Sequence, residues 1–172
     1  MTAGAADRGA RLDEDVLKLV GFRIEDWRLA VRLEQVKTSI MPCRVTRVFC
    51  LPDYVQGIIS LRGSIVGVLD LGRLLGIPSS SGGHRRLIVV ESQGLGIQAA
   101  IPVHDVFRVP DVPRDAVAPL PPSVSTSQKP YLEGIVNLSG ITEQTGEGDT
   151  ITLVDADTLF DAPALRELRG AS

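Results

Sequence analysis

The sequence predicts a mainly β protein made of two small five-stranded β-barrels of the SH3 or OB kind, with short helical turns and a C-terminal helix. Three observations support this fold class. Apolar and polar residues alternate in short runs, as in strands with one buried face. The chain has 17 glycines and 11 prolines, which supply many turns. A segment of the second half also repeats one of the first half at a constant offset of 77 residues.

The first forty residues predict a tail, a hairpin and a helical turn. Residues 1–15 mix small and charged side chains and are expected to be a disordered tail. Strands are predicted on both sides of the Glu25-Asp26 dipeptide, because apolar residues occupy every second position over 20–24 and over 27–31. Leu33, Val36 and Ile40 are three and four residues apart, which predicts a helical turn that ends before Pro42.

The next thirty residues predict three strands and a second helical turn. A short strand over 44–49 is followed by two apolar strands, over 57–62 and 65–69. Gly63 and Ser64 lie between these strands and suit a two-residue hairpin turn with glycine first. Asp70 is placed to cap a short helix that Gly76 ends.

The second half of the chain repeats this pattern. Residues 131–140 (YLEGIVNLSG) match residues 54–63 (YVQGIISLRG), and beyond the turn the offset becomes 85, so the loop over 142–150 holds eight extra residues. A hairpin is predicted over 87–90 and 96–101, and the spacing of Val103 and Val106 predicts another one-turn helix. The proline-rich residues 111–130 predict an extended crossing between the barrels, followed later by a helix over 155–169 and a tail over 170–172.

Composition excludes several classes of function. The net charge of −3 gives no general attraction to nucleic acid. Two histidines and two cysteines without a close cysteine pair exclude an ordinary zinc site, and Cys43 and Cys50 are expected to be free thiols. No apolar run approaches about 18 residues, and the N-terminus lacks the apolar segment of a signal peptide. We therefore expect a cytoplasmic protein with no metal and no cofactor.

No catalytic constellation is evident in the sequence. Residues 94–99 match the dinucleotide-binding pattern GxGxxA, but Pro102 prevents the long helix that this motif requires, so the segment is interpreted as a hairpin turn. His84 and His104 have no neighbouring serine or cysteine nucleophile with an orienting carboxylate. Residues 84–86 (HRR) are basic but have no interleaved aromatic residues, as stacking on nucleic acid would require.

Two further polar features have different interpretations. Asp155 and Asp157 mirror the position of Asp70 and are interpreted as helix-capping residues. Arg62 ends an apolar strand, and its counterpart in the second half is Ser139. Because the second repeat has no arginine at this position, Arg62 is a candidate for a binding role that only the first repeat has.

Residues 57–71 (GIISLRGSIVGVLDL) resemble the signature of the CheW-like family, the coupling proteins of bacterial chemosensory arrays, in which a segment of the form G-[IV]-x-N-L-R-G-x-[IV]-[IV]-P-[IV]-[IV]-D-L recurs. The resemblance extends from about Leu17 to Phe160 and includes the second motif, GIVNL, at 134–138. It implies a CheW-like domain over 16–169, made of two intertwined β-barrel subdomains. It also implies a non-enzymatic scaffold that joins the cytoplasmic tip of chemoreceptors to a CheA-type histidine kinase, so that the membrane is reached only through receptors.

The resemblance also implies where the partners bind. The receptor is expected near Val36, Gly57 and Arg62, with the Arg62 guanidinium as a polar anchor for receptor carboxylates or carbonyls. The regulatory domain of the kinase is expected at a barrel end to which Leu87 and its strand contribute. No nucleic acid is expected as a partner.

Three positions depart from the family pattern: Ser60 replaces the usual asparagine, Gly67 a proline and Gly72 an arginine. These departures leave the cognate receptor and kinase open. The alternatives are a coupler of a non-flagellar chemosensory pathway, which controls pili or gene expression, and a small β-barrel that binds a ligand or nucleic acid.

Overall fold

The computed structural model describes residues 15–78, 83–141 and 149–163. These residues form strands β1 to β13: Val16–Leu17, Leu19–Ile24, Trp27–Arg32, Val36–Ile40, Val55–Leu61, Ser64–Leu69, Arg86–Glu91, Gln98–Val103, Asp105–Arg108, Val112–Pro113, Val117–Ala118, Leu132–Asn137 and Thr150–Val154. The described residues include two short α-helices, α1 (Leu71–Leu74) and α2 (Ala156–Leu159). Four 3₁₀ turns cover Leu33–Gln35, Arg114–Ala116, Lys129–Tyr131 and Leu138–Gly140. None of the described helices is long and apolar enough to cross a membrane.

The strands form two principal sheets with the same arrangement. The five-stranded sheet has the order β4-β7-β8-β6-β5, and the six-stranded sheet has the order β9-β2-β3-β13-β12-β11. Each contains one parallel pair, β6 with β8 and β13 with β3, and its other pairs are antiparallel. The hairpin β2–β3 from the start of the chain therefore lies in the sheet that holds the last strands of the second half. The predicted mainly β class is confirmed, but the two principal sheets have five and six strands and do not close by hydrogen bonds into the predicted five-stranded barrels.

Each sheet is open in its hydrogen bonding, but a crossing segment covers one of its edges. After β4 the chain returns to the opposite edge of the five-stranded sheet, where Thr46 forms an antiparallel bridge with Ile58 of β5. In the six-stranded sheet, β11 pairs in the same way with β12, through Ala118 and Ile135. Ile58 and Ile135 are 77 residues apart, so the sequence repeat includes this edge contact.

A glycine makes each of these crossings possible. A Cβ atom on Gly57, where φ is +145°, would lie 2.2 Å from the backbone oxygen of Thr46. A Cβ atom on Gly134 would lie 2.6 Å from the backbone oxygen of Ala118. Both distances are far shorter than a van der Waals contact, so the close approach of the crossing backbone requires glycine at both positions.

The core has three clusters, and the largest lies between the sheets. It joins Phe22, Leu29 and Phe160 to strands of the five-stranded sheet, including Ile88 and Val90 of β7. Alternate residues of β7, Leu87 and Val89, belong to a second cluster with Ile59 and Val66, on the other face of the sheet. The third cluster lies within the six-stranded sheet and includes Leu19 and Leu153. Because β7 is buried on both faces, the middle of its sequence (LIVV within RLIVVE) is a continuous apolar run without polar alternation.

The helical turn predicted from Leu33 is present but shorter than expected, and the one predicted at Val103 and Val106 is wrong. The 3₁₀ turn ends at Gln35, and Val36–Ile40 is strand β4. A spacing of four residues between Val36 and Ile40 fits one face of a strand as well as one turn of a helix, so the apolar pattern was ambiguous. The Val103–Val106 spacing spans the boundary at His104 between β8 and β9.

Three other boundaries differ from the prediction. Residues 44–49 contain the Thr46 bridge without a continuous strand. The β5–β6 turn consists of Arg62 and Gly63, one residue earlier than predicted, because Leu61 pairs with Ser64. Helix α2 spans only Ala156–Leu159, and the end of the predicted helix lies outside the described residues, as do residues 1–14 and most of the 142–150 loop.

The capping predictions for Asp70 and Asp155 and the turn prediction for the GxGxxA segment are confirmed. The capping prediction for Asp157 is wrong, because its carboxylate accepts hydrogen bonds from Gln35 and Gln93 instead. Asp70 Oδ1 accepts a hydrogen bond from the backbone N–H of Arg73, and Asp155 Oδ1 accepts one from the backbone N–H of Asp157. Gly76, which follows α1, has a φ of +64°. The GxGxxA segment forms the turn between β7 and β8 and the start of β8.

Candidate docking site

The candidate site is a depression of about 280 Å³ at one end of the five-stranded sheet. Three elements that are distant in sequence form it: the start of β4, the tip of the β5–β6 hairpin and the start of β8. We call it the Arg62 depression. Its lining residues are Lys37, Thr38, Leu61, Arg62, Ser64 and Gln98.

Arg62 is presented by a turn that holds it in an unusual conformation. Arg62 and Gly63 have φ values of +50° and +84°, and two successive positive values are typical of the type I′ hairpin turn. A non-glycine residue in this region is disfavoured by roughly 1 kcal/mol or more. The Arg62 side chain is exposed and has no hydrogen bond or ion pair with any described residue. Ile65, three residues later, is 76% exposed.

The second cation of the depression is neutralised by a neighbour. Lys37 lies at an irregularity in the β4–β7 pairing, between the paired residues Val36 and Thr38. Its Nζ lies 2.8 Å from Glu91 Oε1, while Gln98 Nε2 donates to Glu91 Oε2 at 2.8 Å. The hydrogen bond from Lys37, with help from Gln98, lowers the pKa of Glu91. Arg62 is therefore the uncompensated positive charge of the depression.

Polar contacts tie the start of β4 to the C-terminal part of the chain. Gln35, next to Val36, is buried, and its Nε2 donates to Asp157 Oδ2 at 3.2 Å. The other carboxylate oxygen of Asp157 accepts a hydrogen bond from the backbone N–H of Gln93 at 3.0 Å. Asp157 thus links α2 to both β4 and the β7–β8 turn. Gln35 Oε1 is buried and has no partner among the described residues.

Of the three sequence-predicted receptor-binding residues, Arg62 alone lines the depression. Val36 is half-buried, packs against the core between the sheets and directly precedes Lys37 and Thr38 of the Arg62 depression. Gly57 lies elsewhere, buried beneath the Thr46 crossing.

The sequence-predicted kinase-binding residue is in the interior. Leu87 is 3% exposed and packs in the core cluster within the five-stranded sheet, against which Val45 and Ile40 also pack. A partner at this end of the sheet would therefore meet the residues that cover Leu87, since the Leu87 side chain itself is enclosed.

Sequence analysis missed Lys37, Glu91 and Gln98. Glu91 and Gln98 are seven residues apart and pair across the β7–β8 hairpin, and β4 pairs with the other side of β7. Only the sheet order brings these three side chains to Arg62. Their proximity to one another could not be inferred from local patterns, although Lys37 directly follows Val36.

The two histidines form a cluster at the junction of the sheets. Their ring centroids are 4.8 Å apart, and the backbone N–H of Glu25 donates to His104 Nδ1 at 3.1 Å. Burial, followed by the neighbouring His104, lowers the pKa of His84. No group of three or more His, Cys, Asp or Glu side chains within 15–78, 83–141 and 149–163 is arranged to hold a metal ion.

Comparison with known proteins places these features in a family context. The family model for the CheW-like domain matches residues 18–164. The chain is 27% identical to chemotaxis protein CheW of Rhizobium meliloti over 146 residues, which cover 83% of this chain and 86% of the relative. It is 26% identical over 117 residues to protein PilI of Pseudomonas aeruginosa, covering 67% and 65% of the two chains. The crystal structure of the scaffolding protein TtCheW from Thermoanaerobacter tengcongensis superimposes with a TM-score of 0.71 and 26% identity, covering 87% of this chain and 95% of that one.

Proposed function

Because this chain belongs to the CheW-like domain family, whose members are coupling and scaffold proteins, we propose that it couples chemoreceptors to a CheA-type histidine kinase. It would act as a non-enzymatic adaptor that holds both partners in one geometry, so that a change at the receptor tip shifts the balance between active and inactive kinase. The cytoplasmic tip of the receptor reaches the adaptor at the Arg62 depression, and membrane recruitment follows from that contact.

One observation carries the placement of the receptor. Arg62 combines an exposed guanidinium, no partner among the described residues and a backbone conformation that is unfavourable for arginine. A strained residue at an exposed turn contributes little to folding, which supports a role in binding. The planar guanidinium can donate in pairs to a carboxylate or to successive backbone carbonyls. Leu61, which also lines the depression, offers an apolar contact.

The test separates folding from binding at Arg62. Asparagine adopts positive φ more readily than arginine, so Arg62→Asn should leave the free energy of unfolding unchanged or raise it by up to about 1 kcal/mol. The same variant should weaken binding to the receptor by about 10- to 100-fold, because it removes a charge-assisted hydrogen bond. Calorimetric titration with receptor fragments that contain the cytoplasmic tip measures the affinity, and urea unfolding measures the stability.

Arg108→Asn is the matched control, because Arg108 is an exposed arginine on β9 of the six-stranded sheet and does not line the depression. Binding of the kinase should be retained in both variants. Equal loss of receptor and kinase binding in Arg62→Asn would refute this role for Arg62. Absence of receptor binding by the unaltered chain would refute the proposed function as a whole.

A second candidate is a coupler in a non-flagellar chemosensory pathway, one that controls pili or gene expression. The similarity to protein PilI supports keeping this candidate. The two candidates differ in the output of the pathway, so deletion of the gene distinguishes them. Loss of swimming chemotaxis supports the first, and unchanged swimming with altered surface motility or gene expression supports the second.

A further inference from the structure

The segment between β4 and β5, residues 41–53, exposes large apolar side chains. Phe49 is 90% exposed, Met41 is 66% exposed and Val48 is 40% exposed. Single exposed apolar residues are common on protein surfaces, but an aromatic side chain beside a second apolar residue and a groove is typical of an interaction site.

This segment forms one side of a wide groove of about 710 Å³, which we call the Phe49 groove. Val45, Val48 and Leu51 contribute apolar surface, and Arg73 of α1 also lines the groove. Val45 also packs against the core cluster that contains Leu87. The groove is therefore the outer surface of the end of the five-stranded sheet at which Leu87 is enclosed.

Arginines outnumber carboxylates in the lining of the groove. Residues 41–52 (MPCRVTRVFCLP) contain two arginines and no acidic residue, in a chain whose net charge is −3. Arg47 lines the groove and has no hydrogen bond or ion pair within the described part of the chain. Arg73 also lines it but is paired with Asp70 at 3.5 Å, and Asp53 supplies the single carboxylate of the lining. A partner that forms an ion pair with Arg47 must supply the acidic group.

We propose that the Phe49 groove is a second docking surface, separate from the Arg62 depression, for a protein segment that carries an apolar side chain flanked by carboxylates. The apolar side chain packs against Phe49 and Val48, and a carboxylate pairs with Arg47. Within the proposed function, on which this part rests, the segment belongs to the regulatory domain of the kinase. The exposed aromatic side chain would then act as an anchor, which commonly carries much of the affinity of an interface.

The experiment measures binding of the full chain to the full-length CheA-type kinase of the same genome, and separately to receptor in membrane vesicles. Phe49→Ser should weaken kinase binding roughly tenfold or more, as removal of an aromatic anchor does. Arg47→Glu should weaken it to a similar extent, and binding of the unaltered chain should weaken as salt is raised. Both residues are exposed, so unfolding in urea should not change.

Met41→Ser is the matched control for Phe49→Ser, because Met41 is an exposed apolar residue of the same segment that does not line the groove. Arg108→Glu, on β9 of the six-stranded sheet, is the charge control for Arg47→Glu. Neither control should alter kinase binding.

The outcomes separate this inference from the proposed function. If the unaltered chain does not bind the kinase, the proposed function fails. If it binds and Phe49→Ser binds equally well, the docking surface alone is refuted. Loss of receptor binding instead of kinase binding would assign the groove to the receptor, and a change only in self-association would assign it to a second copy of this chain. Either of these results would overturn the proposal.

Discussion

Replacement of Gly57 by alanine tests whether this glycine serves the receptor or the fold. The added Cβ atom would lie 2.2 Å from the Thr46 backbone oxygen and 2.9 Å from its carbonyl carbon. Ordinary contact begins above roughly 3.4 Å, so the crossing segment must move by about 1 Å. The cost of such overpacking is about 1–3 kcal/mol, and a φ of +145° adds about 1–3 kcal/mol for a residue with a side chain.

The expected loss for Gly57→Ala is therefore about 2–6 kcal/mol, against a stability of about 5–15 kcal/mol for a typical domain. Urea unfolding followed by circular dichroism measures this loss, and Gly134→Ala should show a loss of the same kind because its Cβ would lie 2.6 Å from the Ala118 oxygen. Gly67→Ala is the control, since β6 leaves open space within 4 Å of a Cβ at that position. It should change the free energy of unfolding by less than about 1 kcal/mol.

The binding assay completes the test of Gly57. Where Gly57→Ala is still folded at low temperature, its affinity for the receptor should be close to that of the unaltered chain once the folded fraction is taken into account. A variant that is as stable as the unaltered chain but no longer binds receptor would refute this reasoning. In that case Gly57 would contact the receptor directly, and the Thr46 crossing would tolerate a side chain.

Two further predictions concern Leu87 and His84. Leu87→Ala should lower the free energy of unfolding by about 2–5 kcal/mol because Leu87 is 3% exposed, whereas Leu87→Met should cost less than about 1.5 kcal/mol and retain kinase binding. Loss of kinase binding by a fully stable Leu87→Met chain would contradict this assignment. Since burial holds the pKa of His84 below its ordinary value of 6.5, the unfolded chain binds more protons than the folded one between those two values. Stability should therefore fall as pH drops through about 6.5 and level off below the folded pKa, and urea unfolding at several pH values should show a smaller fall for His84→Asn. An identical pH dependence in His84→Asn would show that other groups control it.

Local patterns predicted much of the fold, and non-local pairing accounts for what they missed. The β2–β3 hairpin and the caps at Asp70 and Asp155 depend on residues close in sequence, and they are confirmed. The turn at Arg62 was displaced by one residue, because a glycine suits the first position of one hairpin turn and the second position of another. This small shift matters, since it places Arg62 within the turn at positive φ.

The candidate site was also predicted only in part, because local sequence patterns do not show which distant strands pair. Arg62 stood out because it breaks a repeat, which is a property of the sequence alone. Gly57 was singled out through the family signature, but its contact with Thr46 depends on how the chain crosses the sheet edge. The partners Lys37 and Glu91 come together only because β4 pairs with β7. No pattern within either segment indicates that pairing.

The repeat explains why the two sheets can share an architecture and differ in binding. Strand order, the parallel pair and the glycine beneath the crossing segment recur in both sheets. The hairpin tips do not recur. Ser139, the counterpart of Arg62, has its backbone N–H bound to Asn137 Oδ1 and its hydroxyl bound to Asp149, so the polar groups of Ser139 have partners within its own segment. The Arg62 tip leaves its guanidinium without a partner among the described residues. Because the paired strands stabilise the fold, the hairpin tips can differ without disrupting the core. A receptor contact is expected at the Arg62 tip, whose guanidinium has no ion-pair partner among the described residues.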